Sequence, residues 1–337
     1  LDMDPISQGA LGAALAQSGG NGKKVKAATI LGCFGGLAPD LDILIFSPAD
    51  PLLFLEFHRQ FTHSLIFIPI GALLVALVMH QLVRRFLPLT GLTFRESYLF
   101  CLLGYGTHGL LDACTSYGTQ LLWPFTAERF AWNNVSIIDP IFTLPLFGLV
   151  IIGVYRKNPW FARGAFVWAI CYLLFGVLQR DRAVVAGYEL AALRGHEPIR
   201  LAAKPGFANL LLWKVVYETR DYFYVDGVRV GLEKKTFPGD RVQKLNLDVH
   251  FNWLDQDSQQ AKDIERFRWF SNDYLAIDPE NSNRIIDVRY SVVPNEVNAL
   301  WAIDIDSDKP SDAHIDWVVL RSADSAQTGR WWRMLTE

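Results

Sequence analysis

Residues 96–114 read ESYLFCLLGYGTHGLLDAC, a stretch long and apolar enough to cross a lipid bilayer that nevertheless carries His108 and Asp112. A span takes about 20 mostly apolar residues, and ionisable side chains at that depth are expensive and need partners. His108 and Asp112 are four apart, so a helix presents them on one face in successive turns. The stretch predicts a membrane helix that bears chemistry.

Comparable stretches lie on both sides, at roughly 27–46, 64–82, 137–155 and 160–178. A sixth, 5–20 (PISQGALGAALAQSGG), is short and rich in small residues. It fits either a tightly packed half-span or an interfacial helix. The first long apolar run leads into PDLD rather than a small-residue cleavage site, so no cleavable signal peptide is expected. Charge then divides the chain. Of 337 residues, the first 180 hold 12 of the 32 Lys and Arg and 10 of the 35 Asp and Glu. We therefore expect a polytopic α-helical membrane domain over 1–180, with five or six spans, and a soluble domain over 181–337. The second part has 20 basic against 25 acidic residues, which argues against nucleic acid as a partner. The four cysteines, Cys33, Cys101, Cys114 and Cys171, all lie in the apolar half without CxxC spacing. They read as small packing residues.

Basic residues set the orientation. Lys23, Lys24, Lys26, Arg84, Arg85, Arg95, Arg156, Lys157 and Arg163 fall in loops of one side, whereas the opposite loops carry only Arg59 and Arg129. The positive-inside rule places the first set in the cytoplasm. The soluble domain, after an odd number of clear spans, is then extracytoplasmic. On this map Asp40, Asp42, His58, His63, His108, Asp112 and Asp139 all lie at the outer level.

Singly these motifs carry little. HxxxD is common, APDLD can be a helix-ending turn, and Asp139 ahead of Pro140 can be a helix cap or a carboxylate supporting a ligand. Together, imidazoles and carboxylates suit a divalent metal. We expect Asp40, Asp42, His58, His63, His108 and Asp112 to hold one or two ions, with zinc the best match and manganese or iron also suited. Asp42, Asp112 and Arg59 are the catalytic candidates. Arg59 and Arg129, the basic residues of the outer loops, either hold a substrate phosphate or anchor at the interface. The bland alternative is a buried polar network that pins helices.

The ordered motifs MDPISQGALGAALAQ, APDLD, HRQFTHSL, GYGTHGLLDACTSYGTQLLWPF and IIDPIFTLP resemble the membrane-bound metal-dependent hydrolase family typified by YdjM and YbcI. The resemblance covers about residues 3–180. It implies a bacterial inner-membrane protein with a bound metal and hydrolase activity, and supports the ligand roles above. The family's opening motif commonly reads D-x-x-T-H, whereas here Asp4 is followed by Ser7-Gln8. Asp4 and Gln8 are therefore supporting candidates. The pattern Ser7-Gln8-Gly9, Thr62-His63-Ser64 and Thr107-His108-Gly109 has the form of a faint internal repeat.

In the second domain AVVAGYELAALR predicts a helix leaving the membrane. Strands are expected at NLLLWKVVYET and YFYV, then at VRVGL after a turn at Asp226-Gly227. Later strands are expected at RFRWF, RIIDVRYSV, ALWAIDI, HIDWVVL and RWWRML, giving an α+β, mainly antiparallel-sheet fold. The functional expectation is metal-assisted hydrolysis of a lipid-like phosphoester or ester, the partner being a membrane lipid or other amphiphile. The rival is a non-enzymatic metal carrier or scaffold whose exterior domain binds a partner.

Overall fold

The computed structural model describes residues 4–20, 22–86, 91–321 and 324–337. The N-terminal part is helical: α1 (Pro5–Ser18), α2 (Val25–Leu37), the short α3 (Leu53–Phe57), α4 (Ile68–Phe86), α5 (Phe94–Cys114), α6 (Pro140–Arg156) and α7 (Trp160–Leu193). Among the described residues, three helical segments are long and apolar enough to cross a membrane: Val25–Leu44, Ile68–Phe86 and Trp160–Leu193. Helix α6 is apolar but shorter. With 21 residues, α5 is long enough, but Arg95, Glu96, His108 and Asp112 dilute its apolarity. Helix α1 has 14 residues, about 21 Å at 1.5 Å per residue, and so cannot cross a hydrocarbon core of about 30 Å. Ten of its residues are buried, which makes it an internal half-helix. The outward residues of α4 include Leu73, Leu74, Leu77 and Val78, an apolar face suited to lipid.

Local sequence explains these boundaries. Asp4 caps α1 ahead of Pro5, and Asp139 caps α6 ahead of Pro140. Thr93 and Glu96 form a capping box at the start of α5. Where α1, α2 and α5 meet, only glycine fits. A Cβ on Gly104 would stand 2.1 Å from the Gly32 carbonyl oxygen, and one on Gly32 would stand 2.5 Å from the Gly12 carbonyl oxygen. This close crossing brings the chemistry-bearing face of α5 against α1 and the end of α2. All four cysteines are free.

The chain divides into two compact units. The first comprises Leu1–Leu44, Phe57–Val177 and Phe207–Asn209; the second comprises Ile45–Glu56, Leu178–Gly206 and Leu210–Glu337. The second unit has two antiparallel sheets. One joins β1 (Arg200–Pro205), β2 (Leu212–Glu218), β3 (Tyr222–Val230) and β4 (Lys234–Phe237) in order, with β5 (Arg241–Gln243) also on β3. After α8 (Leu247–His250) and α9 (Gln259–Ser271), the other runs β6 (Leu275–Asp278), β7 (Asn281–Asp287), β8 (Trp301–Asp304) and β9 (Asp316–Val319), and α10 (Ser325–Thr336) follows. Val216, Phe223 and Val225 of the first sheet share a core with Ala276, Ile286 and Ala302 of the second.

Three local expectations are corrected. RFRWF is the end of α9, because Ala261, Ile264, Phe267 and Phe270 are buried at a three-residue spacing. RWWRML belongs to α10, which Asp324 and Gln327 cap reciprocally. Asp226-Gly227 makes no turn, since β3 runs straight through it. Asp226 is wholly buried and held by both terminal nitrogens of Arg194, each at 2.7 Å.

Candidate metal centre

Helix α2 gives way at Ala38 to a 3₁₀ segment, Ala38–Leu44, which carries Asp40 and Asp42. A second 3₁₀ turn, Phe61–His63, presents His63. Helix α5 contributes His108 and, one turn on, Asp112. Gly109 lets these pieces meet, because a Cβ there would stand 2.3 Å from the His63 carbonyl oxygen.

Asp40, His63, His108 and Asp112 each offer one ligand atom, all within 4.8 Å of one another. His63 Nε2 and His108 Nε2 are 2.9 Å apart. Asp40 Oδ1 is 3.4 Å from the first and 3.1 Å from the second. Asp112 Oδ2 is 3.3 Å from the first and 3.8 Å from the second. Ligands at about 2.0–2.2 Å from a tetrahedral ion stand about 3.3–3.6 Å from each other. The observed edges bracket that range. Asp112 Oδ2 is also buried with no hydrogen bond of good geometry, its neighbours being Arg59 Nε at 3.0 Å and the His63 imidazole, although a buried acceptor ordinarily finds well-directed partners. The donor set and this oxygen, short of well-directed hydrogen bonds, both fit a divalent cation.

A second layer of residues holds the four in place. His108 Nδ1 lies 2.5 Å from the Gly36 carbonyl oxygen, which can only accept, so this nitrogen carries the proton and Nε2 is left as a lone pair. His63 Nδ1 is 2.9 Å from Thr62 Oγ1 and 3.2 Å from Asp42 Oδ2. Ligating histidines are ordinarily oriented through their other ring nitrogen in this way. Asp42 Oδ2 also accepts from the Arg59 backbone N–H at 3.0 Å and the Thr62 hydroxyl at 2.8 Å. Its other oxygen is 2.8 Å from His58 Nδ1. Asp42 and His58 thus stand behind His63 rather than beside the four convergent atoms.

Arg59 is placed differently from either expectation. It is wholly buried, too enclosed to anchor at an interface or to reach a substrate phosphate. Its Nε is 3.0 Å from Asp112 Oδ2, and it donates from Nη1 to Thr115 Oγ1 at 2.9 Å. Its backbone is left-handed, φ 63°. Such a conformation persists in a non-glycine residue only where the surroundings impose it.

Gln8 donates to Asp112 Oδ1 at 2.7 Å, so the short α1 supports the centre from beneath. The three matching tripeptides of the sequence therefore deliver Gln8, His63 and His108 to one place. Asp4 and Asp139 are elsewhere. Asp4 caps α1 and accepts from Ser7 at 3.0 Å, while Asp139 caps α6 and accepts from Tyr172 at 2.8 Å. Thr62 entered the sequence reading only as the neighbour of His63, and Thr115 and the Gly36 carbonyl were not singled out. Only Thr62, adjacent to His63, had a local signal.

Charge points the same way. Three carboxylates gather here, and the one guanidinium among them pairs with Asp112, while Asp40 and Asp42 lie against imidazoles. Burial would lower the His63 imidazole pKa, but the hydrogen-bonding carboxylates of Asp112, Asp40 and Asp42 hold it well above its ordinary value. The cluster favours a cation.

Comparison with known proteins adds the relatives. The family model of the YdjM inner membrane protein matches residues 3–183. YfhP of Bacillus subtilis (strain 168), described as an uncharacterized protein, is 23% identical over 199 residues, covering 57% of this chain and 55% of its own length. The inner membrane protein YbcI of Escherichia coli (strain K12) is 32% identical over 124 residues, 35% of this chain and 68% of its own. The chain thus spans only about half the length of YfhP. No solved structure matches.

Proposed function

The chain belongs to the YdjM inner membrane protein family, and from that premise we propose that it is a metal-dependent hydrolase acting on a lipid-like phosphoester or ester at the extracytoplasmic face. The observation that carries this reading is the convergence of two imidazole Nε2 atoms and two carboxylate oxygens within 4.8 Å, with both Nδ1 atoms already engaged behind them. One ion suits the geometry better than two, because Asp42 and His58 are turned onto each other. Zinc matches the donor set, and manganese or iron would also be accepted.

A bound divalent ion supplies Lewis acidity, acidifying water and stabilising negative charge on the substrate. The chain's own residues divide the remaining work. Asp112, held by Arg59 and Gln8, keeps its second oxygen aimed at the centre. Asp40 has 14% of its side chain exposed while the other three have none. It marks the open side and is placed to take a proton from water. Leu41, Ile43 and Leu44 flank it in the same 3₁₀ segment and are 63%, 49% and 68% exposed. This apolar lip beside the polar opening supports an amphiphilic substrate.

The test is metal analysis of detergent-purified protein together with hydrolysis assays on lipid phosphates and esters. The wild type should carry one equivalent of metal and turn over at least one substrate class. The His63→Ala, His108→Ala double variant should lose both. Full metal occupancy in that variant would sink the centre as drawn, and metal-loaded wild type inert on every substrate would sink the hydrolase.

A further inference from the structure

Helix α7 carries one charged residue, Arg163, between Trp160 and Leu178, and then reads QRDR at 179–182. That apolar stretch covers about 28 Å at 1.5 Å per residue, close to a hydrocarbon core of about 30 Å. Trp160 is 68% exposed with the Arg163 guanidinium over its ring, the pairing expected where a span meets the headgroups. Gln179 to Arg182 then stand at the opposite headgroup level. The β3–β4 hairpin is tied to that level. Gln179 donates to the Val230 and Leu210 carbonyl oxygens at 2.7 and 3.0 Å, and Arg182 to that of Gly231 at 2.6 Å. Further along α7, Glu189 pairs with Lys234 of β4, and Arg194 with Asp226 of β3. Both strands therefore climb away from the bilayer as they leave the tip. At the tip itself Leu232 is 106% exposed, and Leu211, whose carbonyl oxygen accepts from the Val230 N–H at 2.7 Å, is 40% exposed.

We propose that this hairpin tip is a lipid-contacting element: Leu232 dips into the boundary between headgroups and acyl chains of the bilayer that α7 spans, with Leu211 beside it. A lone exposed leucine ordinarily carries no message. This one differs in where it is held, because Gln179, Arg182 and Glu189 of α7 fix the chain on both sides of it. Leu232 fills no core, and a turn in water favours Gly, Asn or Asp instead. An aliphatic side chain at headgroup depth gains by leaving water for the acyl boundary. The occupant is the lipid surface, because the bilayer lies at the level where α7 holds the tip. The inference does not depend on the metal centre.

The experiment places the full chain in nanodiscs of phosphatidylethanolamine and phosphatidylglycerol with unsaturated acyl chains. The photoreactive residue p-benzoylphenylalanine replaces one side chain at a time, and mass spectrometry reads the adducts after irradiation. Leu174, 60% exposed on the apolar stretch of α7, is the positive control and should give phospholipid adducts. The probe at Leu232 should give them too. The probe at Asp221, beyond the far end of β3 and about 30 Å from the tip at about 3.4 Å per residue, should give none. All three side chains point away from the protein's core, so the replacements leave the fold intact. Lipid adducts at Leu174 with none at Leu232 overturn the proposal, as do equal yields at Leu232 and Asp221. Adducts at Leu232 to protein alone, from a second copy or another chain, overturn it in favour of a protein contact. Absence of lipid adducts at Leu174 removes α7 as a span and the proposal with it.

Discussion

Asp42→Asn separates a ligand from a residue that orients one. The structure predicts that the shape survives the change. An asparagine oxygen in the Oδ2 position keeps the Arg59 N–H and the Thr62 hydroxyl, now at 3.0 and 2.8 Å. The amide nitrogen then faces His58 Nδ1, which can turn acceptor by exchanging tautomers. What disappears is the charge behind His63, 3.2 Å from its Nδ1. A histidine backed by a neutral amide is a weaker base and a weaker ligand. Loss of such a partner lowers metal affinity about 10–100-fold, or about 1.4–2.8 kcal/mol. Co²⁺ titration with calorimetry would give affinity and stoichiometry together. We expect one equivalent in both proteins, bound more weakly by the variant. Two equivalents in the wild type and one in Asp42→Asn would make Asp42 a ligand of a second ion. Unchanged affinity would refute the orienting role.

Two further predictions concern the chain beyond the centre. A reporter active only in the cytoplasm, fused after Glu337, should be silent if basic loops lie inside; a strong signal would place the centre at the cytoplasmic face. Burial pushes the Lys214 amine down to about 7, against the pull of Asp287, Glu296 and Asp226, while an unfolded lysine titrates near about 10.4. The unfolded chain then binds more protons between those values, so the thermal midpoint should rise with pH across that window and level off above it. Lys214→Met should reduce the slope, and an unchanged slope would rule Lys214 out as its source.

Asp40, His63, His108 and Asp112 converge in the structure, and nothing in the sequence separated them from Asp42 and His58. His108 and Asp112 were legible because the α-helical period is reliable over a long apolar stretch. Asp40 and Asp42 were not separable. In a 3₁₀ turn, with three residues per turn, positions two apart point to different sides. One carboxylate can therefore face the imidazole nitrogens and the other the back of His63, but nothing in APDLD announces a 3₁₀ segment rather than a helix end. Arg59 was misjudged for a related reason. A basic residue in a polar loop reads as exposed, and only tertiary structure shows it turned inward onto Asp112. In the second unit, RFRWF and RWWRML are short and rich in the aromatic residues that strands favour, whereas the caps and three-residue spacing that make them helices lie largely in the flanking sequence.

The remaining choice lies between a cation site and a buried network that merely pins helices, and proton bookkeeping at the two histidines favours the cation. His108 must donate Nδ1–H to the Gly36 carbonyl, so its Nε2 points a lone pair at His63 Nε2, 2.9 Å away. One proton between those nitrogens satisfies both, making one imidazolium. A second proton would place two N–H groups head to head at that distance, which neither ring can relieve by turning while its Nδ1 is held. At these two convergent nitrogens a network closed by protons alone therefore supplies one positive charge, whereas a divalent ion supplies two. The proton-closed network still leaves Asp112 Oδ2 with no hydrogen bond of good geometry beside its 3.0 Å ion pair with Arg59 Nε. A divalent ion uses both Nε2 lone pairs at once and sets two positive charges between the carboxylates of Asp40 and Asp112.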